Sequence, residues 1–280
     1  MSMNKRVWTI CMVSIGFFIG CLRNYQSVDP NHPEYWDNAT LVWSDEFDGN
    51  SIDLDKWKFQ TGSNGWGNNE WQNYTDGENV TVSNSTLKIA AEKPGEGQKR
   101  GDYTSARLNS KMSFTYGRME IRAKIPDLKG NGIWPAIWML GENIPTVGWP
   151  RCGEIDIMEY VSYDPGKVHV SLHSFANNHT KGTQITSGPI PLETIEEEFH
   201  NYGILWSEQY IQFYIDDVDN IQLTFHRPES YNDDNWPFDR PFYFLLNVAV
   251  GGNWGGLKGV DDTIFPATME IDYVRVYQHR

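Results

Sequence analysis

The sequence is short of cysteine, of basic charge and of helical periodicity. Only three cysteines occur in 280 residues, and Cys11 and Cys21 both belong to the N-terminal apolar run or its end. Cys152 alone remains in the body, which excludes an internal disulfide and any zinc-type cysteine spacing there. Lys and Arg number 23 against 37 Asp and Glu, a formal charge of -14. That balance excludes a general nucleic-acid binder, which needs a basic surface. It also disfavours heavily sulfated polysaccharides. No apolar run reaches the ~20 residues of a membrane-spanning helix. Internal repeats, low-complexity tracts and a second domain boundary are also missing, so one large domain is expected.

The longest apolar run, Val7 to Gly20, follows Lys5 and Arg6. That layout is an export signal. Its end, Phe18-Ile19-Gly20-Cys21, resembles a bacterial lipoprotein signal over residues 1–20, with Cys21 lipidated as the new N-terminus. Phe18 stands where Leu is usual; ordinary secretion and an uncleaved anchor are the alternatives. Residues 21–37 carry Asn, Pro, His and Ser without periodicity and read as a tether. The folded domain is expected over 38–280.

What the body does have is tryptophan and alternation. Twelve Trp, fourteen Tyr and thirteen Phe exceed what modest overall hydrophobicity calls for. Any one of them can serve the core, but Trp beside Gly and Asn also suits stacking on sugar rings. Short strands recur between Gly, Asn and Asp clusters, as in sandwiches. Over 114–125, Met119, Ile121, Ala123 and Ile125 share one face, and Arg118, Glu120, Arg122 and Lys124 the other. Further strands are expected over 41–47, 86–91, 133–140, 167–172, 202–206, 211–215, 242–250 and 269–277. Residues 192–199 allow at most a short turn. The body is therefore expected to be all-β, one antiparallel sandwich.

One stretch organises the rest: Glu154, Ile155, Asp156, Ile157, Met158, Glu159. In a strand, Glu154 and Asp156 share a face. Glu159 lies an odd number of positions from Glu154, so a regular strand would point it into the core, where an unpaired carboxylate is costly. One extra residue, a β-bulge around Met158, returns it to the face of the other two. The two glutamates are then four effective positions apart, about 13 Å along the strand. Leaning together, their carboxyls come to about 5–6 Å, near the separation in retaining glycosidases. An acidic strand can equally be a solvated face, but Gly and Trp crowd both sides of this one. Cys152, two residues before Glu154, reads as a small buried residue, with catalysis the alternative.

Gly148-Trp149-Pro150-Arg151-Cys152-Gly153 and the carboxylate strand after it resemble glycoside hydrolase family 16, and within it the bacterial laminarinases. Similar pieces are Trp43-Ser44-Asp45-Glu46-Phe47, Trp66-Gly67-Asn68-Asn69-Glu70, Trp134-Pro135-Ala136-Ile137-Trp138-Met139 and Asn247-Val248-Ala249-Val250-Gly251-Gly252-Asn253-Trp254. The resemblance covers roughly residues 40–280. It implies a β-jelly roll of two packed sheets with a substrate cleft on the concave one. It implies a retaining endo-β-1,3-glucanase acting on laminarin-like glucan, with Glu154 as nucleophile, Glu159 as acid/base and Asp156 assisting. Met158 matches the bulge residue of the laminarinase and agarase branches.

Around these three, the resemblance implies substrate contacts from Asn68, Arg107, Trp134, Trp138, Trp149 and His173. Trp138 can equally be core, Arg107 can equally pair with an acidic neighbour, and a lone strand histidine is often structural. No cofactor is implied for catalysis. A structural calcium is implied at main-chain oxygens of Glu46 and Ser85 and the carboxylate of Asp272, where the family usually has Gly in place of Ser85. The implied setting is an exported monomer, anchored to the membrane through Cys21. Rival readings are a hydrolase of mixed-linkage glucan or red-algal galactan, and an idle glucan-binding protein of the same fold. The three intact carboxylates argue against the last.

Overall fold

The computed structural model describes residues 33–279. The expected signal segment, the lipidation at Cys21 and residues 21–32 of the tether lie outside the described residues. Among the described residues, two eight-stranded antiparallel sheets enclose one core. The outer sheet runs Ile221–His226, Tyr210–Ile215, His200–Trp206, Gly117–Lys124, Ala267–Gln278, Thr86–Ala91, Val80–Ser83, with Thr40–Asp45 also pairing with Ala267–Gln278. The inner sheet runs Ile185–Thr186, Lys167–His173, Glu154–Glu159, Ile133–Gly141, Phe242–Val250, Arg107–Phe114, Trp57–Phe59, with Ile190–Pro191 also on Lys167–His173. Gln72–Tyr74 and Tyr103–Ser105 form a separate parallel pair. The body is the expected β-jelly-roll sandwich.

Alternation explains the outer sheet. Met119, Ile121 and Ala123 are fully buried, while Arg118, Glu120, Arg122 and Lys124 are half-buried on the outward face. Fully burying such an aliphatic side chain contributes about 1.5–3 kcal/mol. Phe114, where the strand was expected to begin, does not belong to it. It ends Arg107–Phe114 in the inner sheet, and the chain reverses at Tyr116 and Gly117, both at positive φ. The middle of the inner sheet is buried on both faces. Phe242–Val250 leaves only Tyr243 half-buried, because loops cover its second face and form a cleft there.

Residues 33–37 correct the tether boundary. Pro33–Asn38 is a 3-10 helix. Trp36 is buried against Leu205, Tyr210 and Tyr214, and its Nε1 donates to Tyr210 Oη at 2.9 Å. Burial of one indole outweighs the polar composition from which the tether was read. Leu205 and Tyr214 alternate with the core-facing Ile204 and Phe213, so Trp36 covers the outward face of the outer sheet.

Candidate active site

The ladder between Glu154–Glu159 and Ile133–Gly141 pairs Glu154 with Leu140, Ile155 with Met139 and Asp156 with Trp138. It then skips, pairing Met158 with Ile137 and Glu159 with Ala136. The register toward Lys167–His173 shifts over the same residues. The strand therefore carries one extra residue at Ile157-Met158, a bulge. Ile155, Ile157 and Met158 enter the core, while Glu154, Asp156 and Glu159 line the cleft. Gly153 makes the entry possible. It sits at φ 80, and a Cβ there would lie 2.7 Å from the Phe242 ring and 2.8 Å from Pro237.

Each carboxylate has its own donors. Trp149 Nε1 donates to Glu154 Oε2 at 3.0 Å, and Trp134 Nε1 to Glu159 Oε1 at 3.1 Å. Ser171 Oγ donates to Asp156 Oδ2 at 2.7 Å and reaches Glu159 Oε2 at 3.5 Å. His173 Nε2 lies 3.0 Å from Asp156 Oδ2 and 3.7 Å from Glu154 Oε1. Burial and then the charge of Asp156 raise Glu154 to about 8, against the pull of His173 and Trp149. The same two causes, with the charge of Glu154 added, hold Glu159 well above the usual carboxylate range. Burial opposes a charge on His173, but its bond to Asp156 and the three carboxylate charges outweigh it, and these groups by themselves, without the main-chain N–H that faces Nδ1, would lift the ring to about 9. The ligand atoms of Glu154, Asp156 and His173 lie within 4.8 Å of one another. On Asp156 Oδ2 the Ser171 hydroxyl and His173 Nε2 already converge.

The cleft has two lobes that meet at Glu154 and Glu159. One, of about 310 Å³, is walled by Trp66, Trp138 and Trp149, with Asn68, Glu70 and Arg107 at its polar edge. The other, of about 440 Å³, is walled by His169, Gln184, Thr186, Asn253 and Trp254. Asn68, Trp134 and His179 border both. The expected contacts thus come together in one place. Arg107 pairs with rings, not with an acid: its Cζ lies 4.8 Å from the centre of Trp66 and 4.7 Å from that of Trp138. Its Nε donates to Gln60 Oε1 at 2.6 Å. Trp138 is cleft wall rather than core, fixed by Nε1 donating to Asn247 Oδ1 at 2.8 Å. Asn247 in turn donates to Tyr74 Oη, and Tyr74 to Glu70 Oε2, both at 3.1 Å.

Cys152 takes the bland reading. It is buried beside Leu140 and Leu245, and burial pushes its thiol up to about 12. Sequence reasoning passed over Glu70, His179 and Asn247. Glu70 and Asn247 lie in motifs noted for their tryptophans, but no spacing singles them out, and nothing marks His179.

The residues expected to hold calcium converge by register. The Thr40–Asp45 ladder stops at Asp45 opposite Val274, and the Thr86–Ala91 ladder at Leu87 opposite Ile271. Asp272 and Tyr273 face the gap; Glu46 follows Asp45 at the end of one ladder, and Ser85 lies two residues before Leu87 at the end of the other. Asn84 and Ser85 are both at φ 54, as a two-residue hairpin turn demands, which explains a glycine preference at 85. Backbone oxygens at such a gap suit calcium. The side chains are engaged elsewhere: Asp272 with Arg122 at 2.6 Å and Glu46 with Arg275 at 2.7 Å.

Paired carboxylates at the waist of a tryptophan-walled cleft define a glycoside-cleaving hydrolase. The chain belongs to the glycosyl hydrolases family 16, whose model matches residues 67–275. It is 47% identical over 249 residues to a beta-glucanase of Rhodothermus marinus, covering 85% of each protein. Its fold matches the laminarinase of Flavobacterium sp. UMI-01 with a TM-score of 0.76 and 45% identity, over 85% of this chain and 100% of that one. It also matches a mutant of a non-specific endo-beta-1,3(4)-glucanase of family 16, co-crystallised with 1,3-beta-D-cellotriosyl-glucose. There the TM-score is 0.79 and the identity 39%, over 86% of this chain and 95% of that one.

Proposed function

We propose that this chain is a retaining endo-β-1,3-glucanase. The observation that carries the reading is the position of Glu154 and Glu159 at the junction of two lobes, so that sugar can extend both ways from the scissile bond. Glu154, in its ionised form, attacks the anomeric carbon of the sugar on one side. Glu159 gives its proton to the glycosidic oxygen as that bond breaks, leaving a glycosyl ester on Glu154. The Glu159 carboxylate then takes a proton from water, the water attacks the same carbon, and Glu154 leaves. Two inversions return the β configuration. Asp156 steadies the pair through Ser171 and His173. Trp134, Trp138 and Trp149 stack on sugar, and Asn68 and Arg107 bind its hydroxyls. No cofactor takes part.

The test is to incubate the soluble domain with laminarin, mixed-linkage glucan, agarose and xyloglucan, then size the products and read the first anomer by proton NMR. Laminarin should yield mid-length oligosaccharides with β ends. Release of single sugars alone, or of α ends, overturns the reading. The relative described as non-specific makes mixed-linkage glucan the second substrate to watch.

The wider reading is an exported monomer lipidated at Cys21, with calcium at the gap beside Asp272. Its support is the signal-like N-terminus and the register of Glu46, Ser85 and Asp272. Cys21→Ser should move the protein from the membrane fraction to the medium. A chelator should lower the melting temperature and added calcium restore it; an unchanged melt removes the ion.

A further inference from the structure

The loop after Lys167–His173 carries His179 to the junction of the two lobes. Asn178, buried at its base, holds it. Asn178 Nδ2 donates to the carbonyls of Ser174 and Phe175 at 3.0 and 3.2 Å, and its Oδ1 accepts from Thr180 Oγ1 at 2.6 Å. The Asn178 carbonyl accepts from the N–H groups of Lys181 and Thr183, both at 3.1 Å. This frame aims two parts of His179 at the site. Its ring lies 5.0 Å from Trp149 and 5.3 Å from His173. Its main-chain N–H donates to His173 Nδ1 at 3.3 Å.

A ring nitrogen that accepts a hydrogen bond must keep its lone pair. The proton of His173 then sits on Nε2, facing Asp156 Oδ2 at 3.0 Å. We propose that the main-chain N–H of His179 is a positioning group that holds His173 in its neutral Nε2–H tautomer, giving Asp156 a hydrogen bond without a positive charge. The proposal rests on the reading of Glu154 and Glu159 as the reacting pair.

The opposing forces around His173 are plain. Asp156, Glu154 and Glu159 face it from the carboxylate strand and favour an imidazolium. Ser171 Oγ on its own strand lies 3.4 Å from Nε2, Trp149 flanks the ring, and Arg107 acts on Glu154 from across the cleft. Only the His179 N–H bears on Nδ1 among these groups, and it opposes a second proton. The consequence is chemical. An imidazolium here would stabilise the carboxylates and strip Glu159 of its proton at lower pH. A neutral ring leaves Glu159 protonated, ready to act as an acid.

Two variants separate the N–H from the ring. His179→Ala keeps the N–H and removes the ring; His179→Pro removes both. The backbone suits proline. His179 opens the 3-10 helix His179–Lys181, and Asn178 before it is extended at φ -159, ψ 165. The measurement is nitrogen NMR of His173 in histidine-labelled protein, with the pH profile of kcat/KM on laminarin. Wild type and His179→Ala should show the neutral Nε2–H ring at pH 7, and His179→Ala should raise KM about tenfold through lost stacking. His179→Pro should show a doubly protonated ring, with both limbs of the profile about one unit lower. A doubly protonated His173 in wild type overturns the proposal, and that spectrum decides alone if the proline variant does not fold. The same tautomer and profile in both variants also overturn it. Failure of wild type to cleave β-glucan sinks the glucanase reading instead, and the spectra still judge the tautomer.

Discussion

The two sheets share one core but treat charge in opposite ways. On the outer sheet, charges alternate with aliphatics and pair across strands in reach of water: Arg122 with Asp272, and Lys124 and Lys88 with Glu270. Such pairs are individually weak. On the inner sheet, three carboxylates stand together under tryptophan walls with few cations near. The outer charges keep the sheet soluble at almost no cost to the fold. The inner charges oppose folding, and their gain is reactivity.

The largest effect should come from removing an inner charge. Glu154→Gln and Glu159→Gln should each lower kcat/KM on laminarin by about 10³-fold or more. Azide with an activated β-glucoside tells their alanine variants apart. Glu154→Ala should give an α-glycosyl azide and Glu159→Ala a β-glycosyl azide; the reverse exchanges their roles. Stability should move the other way. Both carboxyls titrate higher in the folded chain, so the fold binds more protons than the unfolded chain above about 4.5, and stability falls as pH rises toward about 8. The glutamine variants escape that loss. Their melting temperatures should match wild type near pH 4 and exceed it by pH 8; parallel curves would refute the buried-charge account.

Core truncations should erase the contrast. Ile121→Ala in the outer sheet and Ile155→Ala in the inner one face the same interior and are both fully buried. Each should cost about 2–5 kcal/mol in denaturant unfolding. A loss in only one would mean the sheets do not share one cooperative core.

Trp134→Phe keeps the cleft wall but removes the N–H that lowers Glu159. The alkaline limb of the pH profile should move upward, with activity down about tenfold. A downward shift would show that Trp134 acts on another group. The smallest effect is expected on the outer face: Arg122→Gln, assayed without calcium, should change stability by less than about 1 kcal/mol.

Much of this was legible in the sequence because period and parity are local. Alternation located the outer strand Gly117–Lys124, and the odd interval from Glu154 to Glu159 demanded an extra residue. What was hidden depends on chain brought from afar. Asn247 matters because it meets Trp138 and Tyr74, and His179 because its loop folds back over His173. The turn at Tyr116 and Gly117 was missed although Phe114 and Tyr116 fall on the parity of the charged face, because no proline or Asn-Gly pair marks it. Trp36 was missed because its neighbours are polar and its pocket lies some 170 residues onward.

That buried indole fixes a direction as well as a boundary. Trp36 sits on the outward face of the outer sheet, and the carboxylates open on the inner one. Chain preceding Pro33 therefore joins the body at its back. The polymer-binding mouth and the first turn of the described chain thus lie on opposite sides of the body, so the N-terminal end of the domain leaves both lobes of the cleft open to a long glucan.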